Sequence, residues 1–219
     1  MDYILSIETA TKNCSVGLSL DGQTVLCKEI AENGYSHAEK LHVFIEEILQ
    51  EADILFSDLK AIAVSQGPGS YTGLRIGVSA AKGLCYSLNI PLIAIDTLET
   101  LARQLKVESG IIVPMIDARR MECYTAFFDV NYSKIRAVES EIIDETTYQD
   151  VSDEVHLLGD GASKCQTVLT DRKFVFHTDY IYPSAKEMSS IAYSKYKKSD
   201  TVDVAYFEPF YLKDFMIVK

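Results

Sequence analysis

The segment AVSQGPGS, residues 63–70, joins a short apolar run, two glycines separated by one residue, and a serine that precedes a helical pattern. A second segment, HLLGDGAS at 156–163, has the same order. Another pair, IETAT at 7–11 and IDARR at 116–120, shows an apolar strand that ends in an acid before a turn. Repeated segments in the same order indicate that a structural unit is duplicated along the chain.

The residues between these segments extend the duplication. Around IETAT, alternating apolar runs and an Asp21-Gly22 turn predict three strands. A helix over 36–52 follows, and it begins with a capping box at Ser36 and Glu39. A strand, the glycine loop and a helix over 72–88 come next. We therefore predict an α/β fold of the actin-like ATPase (ribonuclease H-like) type. It would consist of two duplicated βββαβα lobes, an N-terminal lobe over 1–108 and a C-terminal lobe over 109–219.

Composition limits the classes of function. The 219 residues carry a net charge of −11, which disfavours direct binding to a phosphate backbone, so we expect nucleic acid to be reached only through another subunit. Apolar runs are too short for a membrane span, and the N-terminus lacks a basic region, so a cytoplasmic protein is expected. Five widely spaced cysteines without a CxxC are typical of small core residues.

The glycine loop is the first candidate site. Its sequence fits neither a Walker A motif nor the dinucleotide fingerprint, but N–H groups ahead of a helix bind anions in many proteins. Two acids that end equivalent strands are the other candidates for phosphate or magnesium chemistry. The candidate anion or nucleotide contacts are Glu8, Gly67, Gly69, Ser70 and Asp117. The alternative is structural: the glycines allow a sharp turn and a close approach of the helix to the sheet.

The two N-terminal helices supply a second candidate, a protein interface. The helix over 72–88 has small residues on one face and larger apolar residues on the other, which suits packing on its own sheet and on a partner helix. The predicted interface residues are Leu41, Phe44, Ile45, Ile48, Gly73, Leu74, Gly77, Val78, Ala80 and Ala81. On this hypothesis Gly77→Arg would leave the lobe folded and abolish dimerisation. The alternative is that the helix is buried between elements of its own chain.

Several segments, in order over nearly the whole chain, resemble the TsaB (YeaZ) family. They are ILSIETAT, SHAEKL, SQGPGSYTGLRIGVSAAKGL, IDTLETLA, IDARRMECYTAFFD, LGDGA and EPFYLKDF. The resemblance implies an actin-like fold and a subunit in the threonylcarbamoylation of adenosine 37 of tRNAs that read codons beginning with A. It implies docking on the transferase TsaD through the helices 36–52 and 72–88, support for the ATPase TsaE, and a homodimer when TsaD is absent.

The same resemblance implies that this chain is not an enzyme. TsaD carries a metal-binding His-x-x-x-His, and the corresponding positions here are Thr97 and Leu101. We therefore expect no catalytic residue, no metal ligand and no cofactor beyond weak nucleotide or magnesium binding at the complex interface. The alternative is a small magnesium-dependent actin-like ATPase or phosphotransferase that uses Glu8, Asp117 and the loop; a protease reading lacks a nucleophile–base pair.

Overall fold

The structure, a computed structural model, describes residues 1–31 and 37–213. The described residues form two compact units, one of residues 1–97 and 184–219 and one of residues 98–183. Ser36, the predicted helix cap, lies outside the described residues. Within the described ranges, none of the helices is long and apolar enough to cross a membrane.

The first unit is built on a five-stranded sheet in the order β3-β2-β1-β4-β5. Strands β1 and β2, and β2 and β3, pair antiparallel, whereas β1–β4 and β4–β5 pair parallel. The elements are β1 Tyr3–Glu8, β2 Asn13–Leu20, β3 Gln23–Ala31, α1 His37–Glu51, β4 Leu59–Gly67, α2 Tyr71–Leu88 and β5 Leu92–Asp96. A 3-10 turn, Phe56–Asp58, leads into β4. The predicted strands and both predicted helices are present, with ends that differ by one or two residues.

The second unit repeats this sheet. Its order is β10-β9-β6-β7-β8, again with two antiparallel pairs on one side and two parallel pairs on the other. The elements are α3 Thr97–Ala102, which crosses the boundary between the units, β6 Ile111–Asp117, β7 Glu122–Phe128, β8 Lys134–Ile142, β9 Val155–Leu158, α4 Ala162–Cys165 and β10 Phe174–His177. The duplication predicted from the glycine segments is therefore a duplication of whole sheets.

The second repeat departs from the predicted βββαβα order in two places. Turns replace the helix that follows the third strand in the first unit, and the helix after the second glycine segment is only the four-residue α4. Strand β10 has no counterpart in the sequence prediction. Its four apolar or aromatic residues, FVFH, are too few to show a period, and the strand is defined by its parallel pairing with β9.

The last helix, α5 Ala185–Lys197, belongs to the first unit. Its buried residues Met188 and Ile191 pack with Ile4, Ala61 and Ile93 on one face of the first sheet. The other face of that sheet is covered by α1 and α2. In the second unit, the corresponding layer is formed by the helix region 98–105, which follows β5. The two units therefore do not divide at the predicted boundary, 108/109. The segment after β5 supplies its helix to the second unit, and the segment after β10 supplies α5 to the first.

Candidate functional site

The glycine loop connects β4 to α2, and several N–H groups of this region are used inside the chain. Gly67 N donates to Thr97 Oγ1 at 3.1 Å, and Ser70 N donates to the Ala10 carbonyl at 2.7 Å. Gly73 N donates to the Ser70 side chain at 3.3 Å, which makes Ser70 the N-cap of α2. An anion at this loop would compete with these hydrogen bonds. The loop's geometry is that of a packing turn.

The glycines of the loop and of α2 permit a close approach to the end of β1. A Cβ on Gly69 would lie 2.3 Å from the Ala10 carbonyl oxygen, and one on Gly73 would lie 2.1 Å from that of Thr9. At Gly77 the nearest atom would be Thr9 Oγ1, at 2.2 Å. The same hydroxyl donates to the Gly73 carbonyl at 2.8 Å. The small residues of α2 thus lie against their own sheet.

Glu8, at the end of β1, is fully buried. Its Oε1 accepts a hydrogen bond of 2.6 Å from Ala10 N. Burial raises the pKa of Glu8 to about 7, against the opposing effects of the Ala10 N–H and the Ser65 hydroxyl. A carboxyl in this environment is an internal hydrogen-bonding group of the turn that contacts the glycine loop. It offers no surface to a ligand in this structure.

Asp117, at the equivalent end of β6, is exposed and differs in its partners. It forms an ion pair with Lys164 and accepts a hydrogen bond of 2.9 Å from Arg119 N. Its own N–H donates to Asp160 at 2.9 Å. Lys164 also donates to the Glu122 carbonyl at 2.6 Å. An ammonium group therefore lies beside the carboxylate that the phosphotransferase alternative assigns to magnesium.

The predicted interface residues lie mainly in the interior of the first unit. Eight of them are buried: Leu41, Ile45, Ile48, Gly73, Leu74, Gly77, Val78 and Ala81. The other two, Phe44 and Ala80, are half-buried against the same core. The small face and the larger face of α2 are both used within the chain. Gly77→Arg would consequently collide with the end of β1, and the expectation that this variant stays folded is corrected.

A different stripe of α2 faces outward. It consists of four exposed residues, Thr72, Ser79, Gly83 and Tyr86, together with Ile76, which is half-buried and also packs against the core of the first unit. Tyr86 is 85% exposed, and a Cβ on Gly83 would meet no atom within 4 Å. On α1, Val43 is 44% exposed. Sequence periodicity locates the stripes of a helix but does not tell which stripe faces the sheet.

Sequence reasoning also missed the C-terminal segment, which we define as residues 202–211. It begins with a bridge between Val202 and Leu92, on the edge strand β5. Near its end, Tyr211 receives a hydrogen bond of 3.2 Å from Arg75 Nε. The Arg75 guanidinium carbon lies 4.1 Å from the centre of the Tyr71 ring, and the Tyr71 and Tyr211 rings lie 4.8 Å apart, so this arginine and the two tyrosines form one cluster.

Further contacts join the C-terminal segment to α2 and to the glycine loop. Lys82 Nζ donates to the carbonyls of Ala205 and Phe207 at 2.9 and 3.1 Å. Phe210 N donates to the Gln66 carbonyl at 2.7 Å. The many aromatic residues of AYFEPFYL are the sequence feature that could have indicated this segment. Most of its contacts, however, are made by backbone groups, which every residue type has, so the sequence does not predict them.

Thr97 and Leu101, the two positions that the sequence resemblance matches to metal ligands, have side chains that do not suit a metal ion here. Thr97 is buried, and its hydroxyl accepts the Gly67 N–H. Leu101 is a buried hydrocarbon side chain in the second unit. Across residues 1–31 and 37–213, no group of three or more His, Cys, Asp and Glu side chains is placed to hold a metal ion.

Known proteins are similar to this chain over most of its length. A family model described as TsaD, tRNA N6-adenosine threonylcarbamoyltransferase, matches residues 29–214. The tRNA threonylcarbamoyladenosine biosynthesis protein TsaB of Escherichia coli (strain K12) is 30% identical over 221 residues, which cover 96% of this chain and 94% of that protein.

Two solved structures agree with the fold. YeaZ from Pseudomonas aeruginosa superposes with a TM-score of 0.85 at 24% identity, covering 97% of this chain and 100% of that one. Component A of (R)-2-hydroxyglutaryl-CoA dehydratase from Acidaminococcus fermentans gives a TM-score of 0.52 at 11% identity, covering 90% and 100%.

The duplicated sheets and these matches define the class: an α/β protein of actin-like fold that is related over most of its length to the TsaD transferases. Within that class, the chain belongs to the TsaB (YeaZ) family. The predicted fold class and the predicted family are both confirmed.

Proposed function

We propose that this chain is a non-catalytic, cytoplasmic subunit of the machinery that makes threonylcarbamoyladenosine at position 37 of tRNAs reading codons that begin with A. The observation that carries the proposal is the similarity, over 96% of the chain, to a protein named for the biosynthesis of this nucleoside. The coverage is nearly complete on both sides, so the comparison extends to the whole chain.

The chemistry of the candidate site supports a role without catalysis. Thr97 and Leu101 do not supply metal ligands, Glu8 is buried, and Asp117 is paired with Lys164. The loop's N–H groups at Gly67 and other positions serve the fold. A chain that keeps the scaffold of a transferase and uses its site residues for packing is suited to binding and activating a partner.

The proposed partner is a TsaD-type transferase. This chain matches the TsaD family model over residues 29–214, so the two proteins share a fold and related helices. Two copies of related lobes can pair through equivalent helices, and the same face then pairs with itself when the transferase is absent. We further propose that the complex supports the ATPase TsaE and that tRNA is contacted mainly by the partner, consistent with the net charge of −11.

We place the docking face on the outward stripe of α2 and the adjacent exposed part of α1. Gly83 offers a surface without a side chain, Tyr86 lies one turn further along the same helix and is exposed, and Val43 adds exposed apolar area on α1. Close helix packing favours a small residue flanked by aromatic or aliphatic side chains. This stripe replaces the buried residues Gly73 and Gly77 in the docking hypothesis.

The test uses light scattering after size-exclusion chromatography, with the chain alone and mixed with the transferase of the same organism. Gly83→Arg is expected to weaken complex formation on the order of 30-fold or more, the effect of losing a central interface contact worth about 2 kcal/mol. Gly83→Ala is the matched control, because it keeps the residue small. Ile142→Arg, at a 72% exposed position in the second unit, controls for added charge.

A wild-type chain that ignores the transferase would contradict the proposed function. A complex that forms equally well with Gly83→Arg would leave the function standing and contradict the location of the face. Reconstituted tRNA modification by the mixed proteins is the activity readout, with omission of this chain expected to abolish it.

The alternative, a small magnesium-dependent ATPase or phosphotransferase, has one observation in its favour. The duplication places Glu8 and Asp117 at the ends of equivalent strands β1 and β6. Magnesium-dependent ATP hydrolysis by the purified chain alone, lost in Asp117→Asn, would favour it over the scaffold proposal.

A further inference from the structure

Two buried cysteines of the second unit face each other across a glycine carbonyl. Cys123 on β7 and Cys165 on α4 have their Sγ atoms 3.9 Å apart, and neither sulfur is in a disulfide. Both side chains have no exposed area. The Gly161 carbonyl accepts from Cys165 Sγ at 3.2 Å and from Cys123 Sγ at 3.7 Å. The two thiols therefore share one acceptor and contact each other.

The surroundings make the two thiols chemically unequal. The contact with the Cys123 thiol and the charge of Lys164 lower the pKa of Cys165. The hydrogen bond to Cys165 and burial raise the pKa of Cys123. The direction of these pKa shifts and the position of Cys165 directly after Lys164 favour Cys165 over Cys123 as the attacking sulfur. A low-pKa thiol beside a second thiol is the arrangement that redox-sensitive proteins use.

Access to the pair runs through α4. This helix has four residues, and Ser163 within it and Gln166 and Thr167 just after it are exposed. A single short turn at the surface opens locally at small free-energy cost. The Sγ atoms must approach from 3.9 Å to about 2.05 Å to form a bond, which needs a shift of α4 toward β7 and the loss of both S–H···O contacts.

We propose that Cys123 and Cys165 form a reversible redox site that takes hydrogen peroxide as its oxidant and closes an intramolecular disulfide. The Cys165 thiolate attacks a peroxide oxygen, the O–O bond breaks, and Cys165 sulfenic acid forms with release of water after proton uptake. Cys123 then attacks the sulfenic sulfur, the S–O bond breaks, and a second water leaves with the Cys123 proton. Two thiols are oxidised by two electrons, and one hydrogen peroxide is reduced to two waters.

The site lies at the corner where Asp117 pairs with Lys164, the residue preceding Cys165. Moving α4 in the oxidised chain would shift Lys164 relative to β6. This site is independent of the proposed docking face, which lies in the first unit, and its test does not depend on the transferase.

The experiment treats the reduced, full-length chain with hydrogen peroxide under native conditions, then alkylates in denaturant and maps tryptic peptides without reduction. The expected product joins peptides 121–134 and 165–172, two hydrogens lighter than their sum. Two of the five thiols are lost, and dithiothreitol restores them. Cys27 is the informative control inside the same molecule, because it is more exposed than the other four cysteines.

Oxidation governed by exposure alone would modify Cys27 first, and that result would overturn the proposal. So would oxidation of Cys165 to sulfinic acid without the cross-linked peptide. The variant Cys123→Ser is expected to stop at a Cys165 sulfenic acid that dimedone traps, while Cys27→Ser still forms the disulfide. If Cys123→Ser fails to fold, the peptide map of the wild-type chain decides by itself.

Discussion

Glu8 shows how burial changes the meaning of a residue. Its place at the end of β1 is where an actin-like fold carries acids for phosphate and magnesium chemistry, and the sequence pattern alone indicates that role. The structure gives the carboxyl no exposed area and a hydrogen bond to Ala10 in the adjoining turn. Its pKa, about 7, follows mainly from desolvation.

This raised pKa predicts a pH dependence of stability. Below pH 4.5 Glu8 is protonated in both the folded and the unfolded chain; as the pH rises toward 7, the unfolded chain releases its proton first, and the folded chain loses stability. The loss is complete above the folded pKa and is about 3 kcal/mol. Glu8→Gln removes this dependence because the amide does not titrate. As the pH rises from 4.5 to 8, we expect the free energy of unfolding of Glu8→Gln minus that of the wild type to increase by that amount.

Urea unfolding of both chains across this pH range measures the effect, and the difference between the two curves cancels the titration of all other groups. Asp53→Asn controls for the loss of one negative charge, because Asp53 is exposed and lies outside this site. Parallel curves for the wild type and Glu8→Gln would show that Glu8 is ionised in the folded chain.

Helix α2 has some features that its sequence predicts and one that its sequence does not. Its boundaries, its Ser70 cap and its two stripes follow from residue type and spacing. Which stripe faces the sheet depends on contacts with Thr9 and Ala10 at the end of β1, sixty or more positions away in the chain. Local spacing contains no information about such contacts, so the small-residue stripe was assigned to a partner.

Two glycines of α2 therefore respond in opposite ways to the same substitution. Gly83→Ala is expected to stabilise the chain by about 0.5–1 kcal/mol, because alanine restricts the unfolded backbone and meets open space. Gly77→Ala is expected to destabilise it by about 1–3 kcal/mol, because its Cβ would lie 2.2 Å from Thr9 Oγ1.

Thermal and urea unfolding of the two variants give the comparison directly. Gly77→Ala paired with Thr9→Ala should recover part of the loss, since the second change removes the colliding oxygen. Equal effects at positions 77 and 83 would mean that α2 is rotated about its axis relative to the structure described.

The duplication of the sheet is predictable from the sequence, whereas the division of the chain between the two units is not. The glycine segments at 63–70 and 156–163 and the strands around them define two equal sheets, and the structure has the same strand order in both. The partition depends on α5, whose Met188 and Ile191 pack with Ile4 of the first strand. Contacts between the two ends of a chain are set by burial of apolar area, and a helix pattern at the C-terminus does not specify which sheet it covers.

The same partition predicts which fragments fold. Residues 1–108, the predicted N-terminal lobe, lack α5 and would leave Ile4, Ala61 and Ile93 uncovered on one face of the sheet. A chain in which a Gly/Ser linker replaces residues 98–183 keeps both apolar layers of the first unit. We expect this linked chain to unfold cooperatively in urea and to retain transferase binding, and we expect 1–108 to do neither.

Circular dichroism during urea titration and the light-scattering assay provide the two readouts. The control is the linked chain with Met188→Asp, which keeps its length and linker but places a charge in the layer between α5 and the sheet; its loss of cooperative unfolding would tie the effect to α5 packing. Cooperative folding of 1–108 would instead mean that α1 and α2 alone stabilise the first sheet, and that α5 covers a face already able to remain in water.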